Sequence, residues 1–369
     1  MVDDRLFSFK QKSQDFIVTE ELPFTLAGRG DAFFVFFEKR NLNTMDIVHH
    51  LCAAFNLSRL SLGIAGLKDK KAITRQRICI YKSALKKLGG EKAFLESIGE
   101  VAKVLKTGRH TTPIGMTTPI QNSFYIRLRA NKKLSEKEKD ISNRKILSLC
   151  KKWFPNLFWN QRFGIEWKNP QQGSDILQGK LKLQDKKDIV FKIQAYASSI
   201  FNEYVHTRTK KWLQILEGDI VIDIANHKKH QFGIYQADTK TVKLFDDTQK
   251  NEQFFRYPSN LKGEIPFNAE KMMITWPVIW YNLLLAPKNS FAGNKEQGLL
   301  DKNWISEKSL KLCKEYKIFW IRRPIWVFPQ KVHIQFQQDD ILLNFTLPSW
   351  SYASIIIDEL EKTIGVNLS

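Results

Sequence analysis

Residues 65–76 read AGLKDKKAITRQ, and they place one carboxylate, Asp69, among Lys68, Lys70 and Lys71, three positions after Gly66. Neighbouring lysines favour the ionised form of an aspartate and would also attract a phosphate backbone. An apolar run, Leu60 to Ala65, enters the stretch, and the alternating run from Arg77 to Tyr81 leaves it. The carboxylate therefore belongs to a loop between two strands. A solvated basic loop with one salt bridge has the same charge pattern, so charge alone does not assign a role to Asp69. Other constellations are weaker. His227 and His230 flank two lysines with no Cys or Glu beside them, which fits a solvated turn and no metal site. Ser198 and Ser199 lack the glycines of a hydrolase nucleophile elbow.

The elements that position this loop can be read from periodicity. Asp15 to Glu20 alternates and reads as a strand; Phe33 to Phe37 is a continuous apolar run, expected as a strand buried on both faces. Thr44 is expected to cap a helix carrying Ile47, Val48, Leu51, Cys52 and Phe55 on one stripe. Residues 82–106 are expected to be helical and basic, interrupted at Gly89 and Gly90. Phe124, Ile126 and Leu128 alternate with Tyr125, Arg127 and Arg129, giving a strand with a basic outer face. A helix is expected over 134–152, another from about 186 to 216, then a polar Gly-, Asn- and Asp-containing region to about 310. Strand patterning returns at Ile325 to Phe328 and Leu342 to Leu347, before a closing helix from Tyr352 to Ile364. The texture changes between Asn156 and Gly164.

Bulk properties narrow the function. The 369 residues predict about two domains, at roughly 100–200 residues each. Apolar residues make up 43% and aromatics 12%, enough for sizeable cores. The formal net charge of +20 points to a polyanionic partner. The sequence has no apolar run near the roughly 20 residues of a membrane span and no secretion signal at its start, and its four cysteines are far apart. Together these predict a nucleic-acid partner in the cytoplasm, reduced thiols and no membrane association.

The window at 65–76 resembles the signature A-G-x-K-D-[KR]-x-A-[VI]-T-x-Q of the TruD family of tRNA pseudouridine synthases. Ala65, Gly66, Lys68, Asp69, Lys70, Ala72, Ile73, Thr74 and Gln76 match it. The resemblance recurs along the chain. Phe16 to Glu20 is similar to an F-x-V-x-E strand, with Lys10 where a lysine precedes it. Residues 121–124, QNSF, are similar to G-N-x-F; residues 155–158 and 161–164, PNLF and QRFG, to P-N-Y-F-G and Q-R-F-G. Ser199 to Asn202 with Arg208, Gly218 with Asp219, and Arg322 with Arg323 follow the family pattern, as do 345–348 and 352–354. The chain departs from it at Trp350 and Trp276, which replace glycines of turns, and at Asp358 in place of arginine.

The resemblance implies an α+β chain. A pseudouridine synthase catalytic fold, a bent, mainly antiparallel mixed sheet with flanking helices, would comprise residues 1–157 and 313–369. An inserted α+β TRUD domain would span 158–312. It also implies an isomerase that converts uridine to pseudouridine in tRNA, at uridine 13 of the D arm, with Asp69 as catalytic aspartate. The reaction breaks the N-glycosidic bond, turns the uracil and rejoins it through C5, so no atoms are gained and no cofactor is required. One carboxylate suffices, unlike the pair of a typical glycosidase. The base must leave its stack. By resemblance Phe124 would receive it and Asn122 would bond its edge, although Phe124 and Phe16 also read as ordinary strand core. Lys68 and Lys10 are expected near the substrate, Glu20 in a pair with a local lysine, and Arg322 (with Arg323) ordering the catalytic loop or contacting phosphate. No obligate protein partner is expected, and the default is a monomer. A non-catalytic RNA-binding protein or chaperone on the same fold accommodates the charge but leaves the Asp69 window unexplained. A methyltransferase would need a glycine-rich cofactor turn, which the sequence lacks.

Overall fold

The computed structural model describes residues 6–68, 70, 72–115, 118, 120–211, 214–223, 231–245, 255–269, 271–278, 282–303, 305–318, 321–348 and 351–368. Asp69, the His227–His230 segment and Trp350 lie outside the described residues. Within them no helix is long and apolar enough to cross a membrane. The chain divides into two compact units. The first comprises residues 1–153, 328–349 and 356–369; the second comprises 154–327 and 350–355. The range 158–312 lies wholly inside the second unit, which extends further at both ends.

The first unit is built on a mixed sheet, ten-stranded among the described residues. Its strands include β1 (Phe7–Phe9), β2 (Phe16–Glu21), β3 (Ala32–Lys39), β4 (Leu62–Gly63), β5 (Ile73–Tyr81), β6 (Lys103–His110) and β7 (Gln121–Ala130). The hairpin formed by Gln330–Gln337 and Asp340–Pro348 extends the sheet beyond β7, so that the order is hairpin, β7, β2, β5, β3, β6. The β2–β5 pair is parallel, whereas β7 runs antiparallel to β2 and β3 antiparallel to both β5 and β6. As its unbroken apolar run predicts, β3 is buried on both faces. On one face Val35, Phe37, Ile78 and Ile80 pack against Ile47, Val48 and Leu51 of α1 (Thr44–Phe55) and against Phe94 and Ile98 of the helix Glu91–Val101.

Two local expectations change here. The helix cap is Asn43, not Thr44: Asn43 and Asp46 form a reciprocal capping box, and Asn43 holds the extended backbone a cap needs. Residues 103–106 are strand, not helix. The strand β6 lies at the sheet edge and is largely exposed, so it carries no apolar alternation that would reveal it.

The second unit contains an antiparallel sheet, six-stranded among the described residues. Its order is Leu261–Pro266, Thr241–Phe245, Gln231–Gln236, Ile220–Asp223, Met272–Val278, Ile321–Pro324. The stretch read as a polar region thus supplies five of these six strands, followed by the helix Phe291–Lys302. Its outer strand, Leu261–Pro266, is exposed along most of its length and shows no apolar pattern. Helix Lys186–Lys211 supplies Ile193, Ile200 and Phe201 to the core shared with Trp276, Ile318 and Ile325. Helix Lys168–Leu177 packs against it through Gly173, where a Cβ would stand 2.1 Å from the Lys192 carbonyl oxygen. Trp276 lies in a strand rather than a turn, stacked on Tyr204 and 2% exposed. Cys313 and the strand Ile321–Pro324 join this core because the strand pairs with Met272–Val278.

Candidate functional site

Strand register gathers most of the expected site residues. In a ladder, directly opposed residues share a face, and positions i and i+2 return to it. Glu20 opposes Asn122 and Val18 opposes Phe124 across β2–β7; Val18 opposes Thr74 across β2–β5; Thr74 opposes Lys39 and Gln76 opposes Phe37 across β5–β3. Phe16, Glu20, Asn122, Phe124, Thr74, Gln76 and Lys39 therefore occupy one face, toward the start of β5, which follows Lys68 and Lys70 in the chain.

That face is polar where a sheet interior is ordinarily apolar. Glu20, Lys39, Thr74 and Gln76 are each at most 1% exposed, and Asn122 is 6%. Pairing of β2 with β5 stops at Thr19 and Arg75, and the Glu20 carboxylate continues it by accepting the Arg77 backbone N–H at 3.1 Å. Burial raises the Glu20 carboxyl above the usual carboxylate range, opposed by the charges of Lys68 and Arg77 and by that hydrogen bond. Among the described residues, Glu20 Oε2, Thr74 Oγ1, Gln76 Nε2 and Asn122 Oδ1 are buried without a hydrogen-bond partner. Such groups are few in native proteins, and four on one face amount to an unmet set of donors and acceptors.

A row of rings adjoins the polar group. Phe124 is 5% exposed and stacks between Phe16 of β2, at 6.2 Å, and Phe345 of the hairpin, at 5.3 Å. Its two faces are thus covered from the strands on either side. Phe16 is partly exposed at the end of the row, with the Lys10 ammonium 4.5 Å above its ring. Lys10 is exposed and holds a left-handed backbone, φ +60°.

Two residues beyond those named from the sequence grip the segment that leads into Asp69. The Lys39 ammonium, fully buried, donates to the carbonyls of Leu42 at 2.6 Å and Lys68 at 3.3 Å. The Thr44 hydroxyl, relieved of capping, donates to Gln76 Oε1 at 3.0 Å and accepts the Lys68 N–H at 2.8 Å. Both backbone polar groups of Lys68, the residue before Asp69, are therefore held by side chains from the β3–α1 connection. A lysine two positions beyond an unbroken apolar run was the available signal for this role.

Arg322 belongs to the second unit and is placed otherwise than expected. It donates to Thr275 Oγ1 and carbonyl, the Leu284 carbonyl and both carboxylate oxygens of Glu296. Those five bonds match the five N–H groups of a guanidinium, so none is left for a phosphate. Its role in this structure is to neutralise the buried Glu296.

The family model for tRNA pseudouridine synthase D (TruD) matches residues 6–186 and 172–360. A tRNA pseudouridine synthase D of Wolinella succinogenes is 29% identical over 369 residues, covering 96% of this chain and 94% of that protein. One of Sulfurimonas denitrificans is 25% identical over 374 residues, covering 96% and 95%. A crystal structure from Methanosarcina mazei, described as tRNA pseudouridine synthase D, has the same fold, with a TM-score of 0.56 at 18% identity over 100% of this chain and 95% of that one.

Proposed function

Because the chain belongs to the tRNA pseudouridine synthase D family, whose members isomerise uridine in tRNA, we propose that it acts on uridine 13 of the D arm with Asp69 as catalytic residue. The observation that carries this reading is the unmet polar set of Glu20, Thr74, Gln76 and Asn122 on one face of the sheet. Uracil presents a donor at N3 and acceptors at O2 and O4. Glu20 Oε2 and Asn122 Oδ1 can accept, Gln76 Nε2 can donate, and Thr74 Oγ1 can do either. A base flipped from the tRNA stack enters this face over the Phe16–Phe124–Phe345 row, with Lys10 moving from the Phe16 ring to admit it.

The ionised Asp69 carboxylate acts at the ribose as the N1–C1′ bond breaks. The uracil leaves with the bonding electrons, turns, and forms the C5–C1′ bond; the proton displaced from C5 goes to solvent and N1 gains one. Lys68 holds Asp69 ionised, while Lys39 and Thr44 fix the backbone before it. Arg322 acts in this reading only as the structural partner of Glu296. The first compact unit serves as the catalytic domain and the second as the inserted one. The enzyme works in the cytoplasm as a monomer, with tRNA as its partner.

The test is pseudouridine mapping after incubation of unmodified tRNA with the full chain and with Asp69→Asn. The variant keeps side-chain size and loses the ionised oxygen pair. We expect conversion at one D-arm uridine by the wild type and none by Asp69→Asn, with tRNA affinity changed by no more than a few-fold. Turnover by the variant at the normal rate would remove Asp69 from the mechanism. Binding without conversion by the wild type would favour a non-catalytic RNA-binding role.

A further inference from the structure

Arg322 and Arg323 are adjacent on the strand Ile321–Pro324, so their side chains leave on opposite faces. Arg322 finds a carboxylate. Arg323 is 7% exposed and finds only neutral groups: it donates to the Asn156 carbonyl at 3.2 Å and to Asn156 Oδ1 at 2.8 Å. Asn156 is fully buried and pinned in turn by donating to the Pro324 carbonyl at 2.8 Å. The Arg323 guanidinium carbon lies 4.1 Å from the centre of the Phe158 ring and 5.6 Å from those of Phe201 and Tyr352.

A second guanidinium shares this setting. Arg162 lies 5.0 Å from the same Phe158 ring. It donates to Gln194 Oε1 at 3.1 Å and bonds the Tyr352 hydroxyl, while its Nε is buried and unpartnered. Among the described residues neither arginine has a carboxylate partner. Glu166, the acid nearest to Arg162 in the sequence, is paired with Lys168. A buried cation is ordinarily paired, because leaving it alone costs the lost hydration without return. Burial pulls the Arg323 guanidinium down to about 9; Tyr352 opposes this and the nearby Arg162 adds to it.

We infer that Arg162 and Arg323, arranged around Phe158 and Tyr352, form a binding site for a backbone phosphodiester of the RNA substrate. The planar fork of arginine matches phosphate oxygens, and the unmet Arg162 Nε supplies a donor already held in place. Access is from the side of Tyr352, which is 37% exposed. This inference rests on tRNA being the ligand and adds a specific anchor to it.

The experiment measures affinity of the full chain for an unmodified tRNA transcript between about 50 and about 200 mM salt, the range over which phosphate contacts dominate the change. Arg162→Met is the deciding variant, being less buried than Arg323; Arg323→Met accompanies it. Each should weaken binding and make the log–log salt slope shallower by about 0.7–0.9, the value for one phosphate contact. Arg162→Lys should keep the slope and bind more weakly, because it keeps the charge and loses the fork. Arg162→Met that binds with the wild-type slope overturns the site, whether its affinity is unchanged or lowered equally at every salt concentration. Failure of the tRNA reading itself looks different: the wild-type chain would then show no salt-dependent tRNA binding.

Discussion

In the second unit Arg208 meets Asp219 at 2.5 Å and Arg322 meets Glu296 at 2.6 Å, and all four side chains are at most 3% exposed. In the first unit Glu20, Thr74, Gln76 and Asn122 are comparably buried on one face of a sheet, and each keeps an atom without a partner. Both arrangements remove polar groups from water. Only the first kind returns the lost hydration within the protein. A closed buried pair fixes one packing of the strands that carry it, and removing one partner strands the other's charge. An open set lowers stability and is kept where a ligand completes it. The contrast therefore separates pairs closed within the protein from a set left open, the set proposed above to receive substrate; Arg322, with a carboxylate partner, and Arg323, without one among the described residues, differ in a parallel way.

The closed pair gives the largest effect on stability. Glu296→Leu leaves the Arg322 guanidinium buried and uncompensated and frees the Ala286 N–H that donates to Glu296 at 2.6 Å. We expect a loss of about 3–5 kcal/mol, as for other broken buried pairs. It should be read from the denaturation of the full chain, with the rate of pseudouridine formation per folded molecule within twofold of wild type. A stable variant with a slow rate would place this pair among the functional residues and erase the contrast.

The grip on Lys68 should behave in the opposite way. Thr44→Val is nearly isosteric but deletes both hydrogen bonds of the hydroxyl, orphaning the Lys68 N–H and Gln76 Oε1. The thermodynamic cost should be about 1–3 kcal/mol. A displaced catalytic group can cost about 100-fold in rate, so single-turnover kcat should fall by about ten- to a hundredfold with KM nearly unchanged. Thr44→Ser keeps the hydroxyl and should recover most of the rate. Equal rates for Val and Ser would reduce Thr44 to packing.

The family was legible in residues 65–76 because the matching positions sit in one contiguous stretch, where residue types and spacing are fixed together. Phe16, Glu20, Asn122 and Phe124 were legible as single motif positions, but their common face depends on which strands are neighbours, and alternation does not carry that. Lys39 escaped notice because a lysine two positions beyond an apolar run reads as a solvated terminus; only the fold shows it fully buried under the Lys68 carbonyl. Arg322 was assigned toward substrate because adjacent arginines look alike in sequence. Its partner Glu296 lies 26 positions away, and pattern reading does not connect the two. The strands β6 and Leu261–Pro266 were missed for a third reason: both are largely exposed, so burial leaves no mark on their composition.

The smallest effect belongs to Glu20 and depends on pH. Burial raises its carboxyl above the usual value of about 4.3, and the opposing charges of Lys68 and Arg77 do not cancel that rise. The native state then binds the Glu20 proton more tightly than the unfolded chain does. Its contribution to stability is complete below the unfolded carboxylate value and is lost as pH rises through the folded one. Above that point an ionised carboxylate must remain buried, with Oε2 unpartnered. Gln has the same shape and no charge, so Glu20→Gln should melt higher than wild type at pH 8, and the gap should close as pH falls toward 4. Melting temperatures of the two proteins across this range, without RNA, give the answer. A gap of opposite sign, with Gln losing ground as pH rises, would mean that Lys68 and Arg77 hold Glu20 ionised at a net gain. Glu20 would then belong with the closed pairs of the second unit rather than with the open set around Asn122.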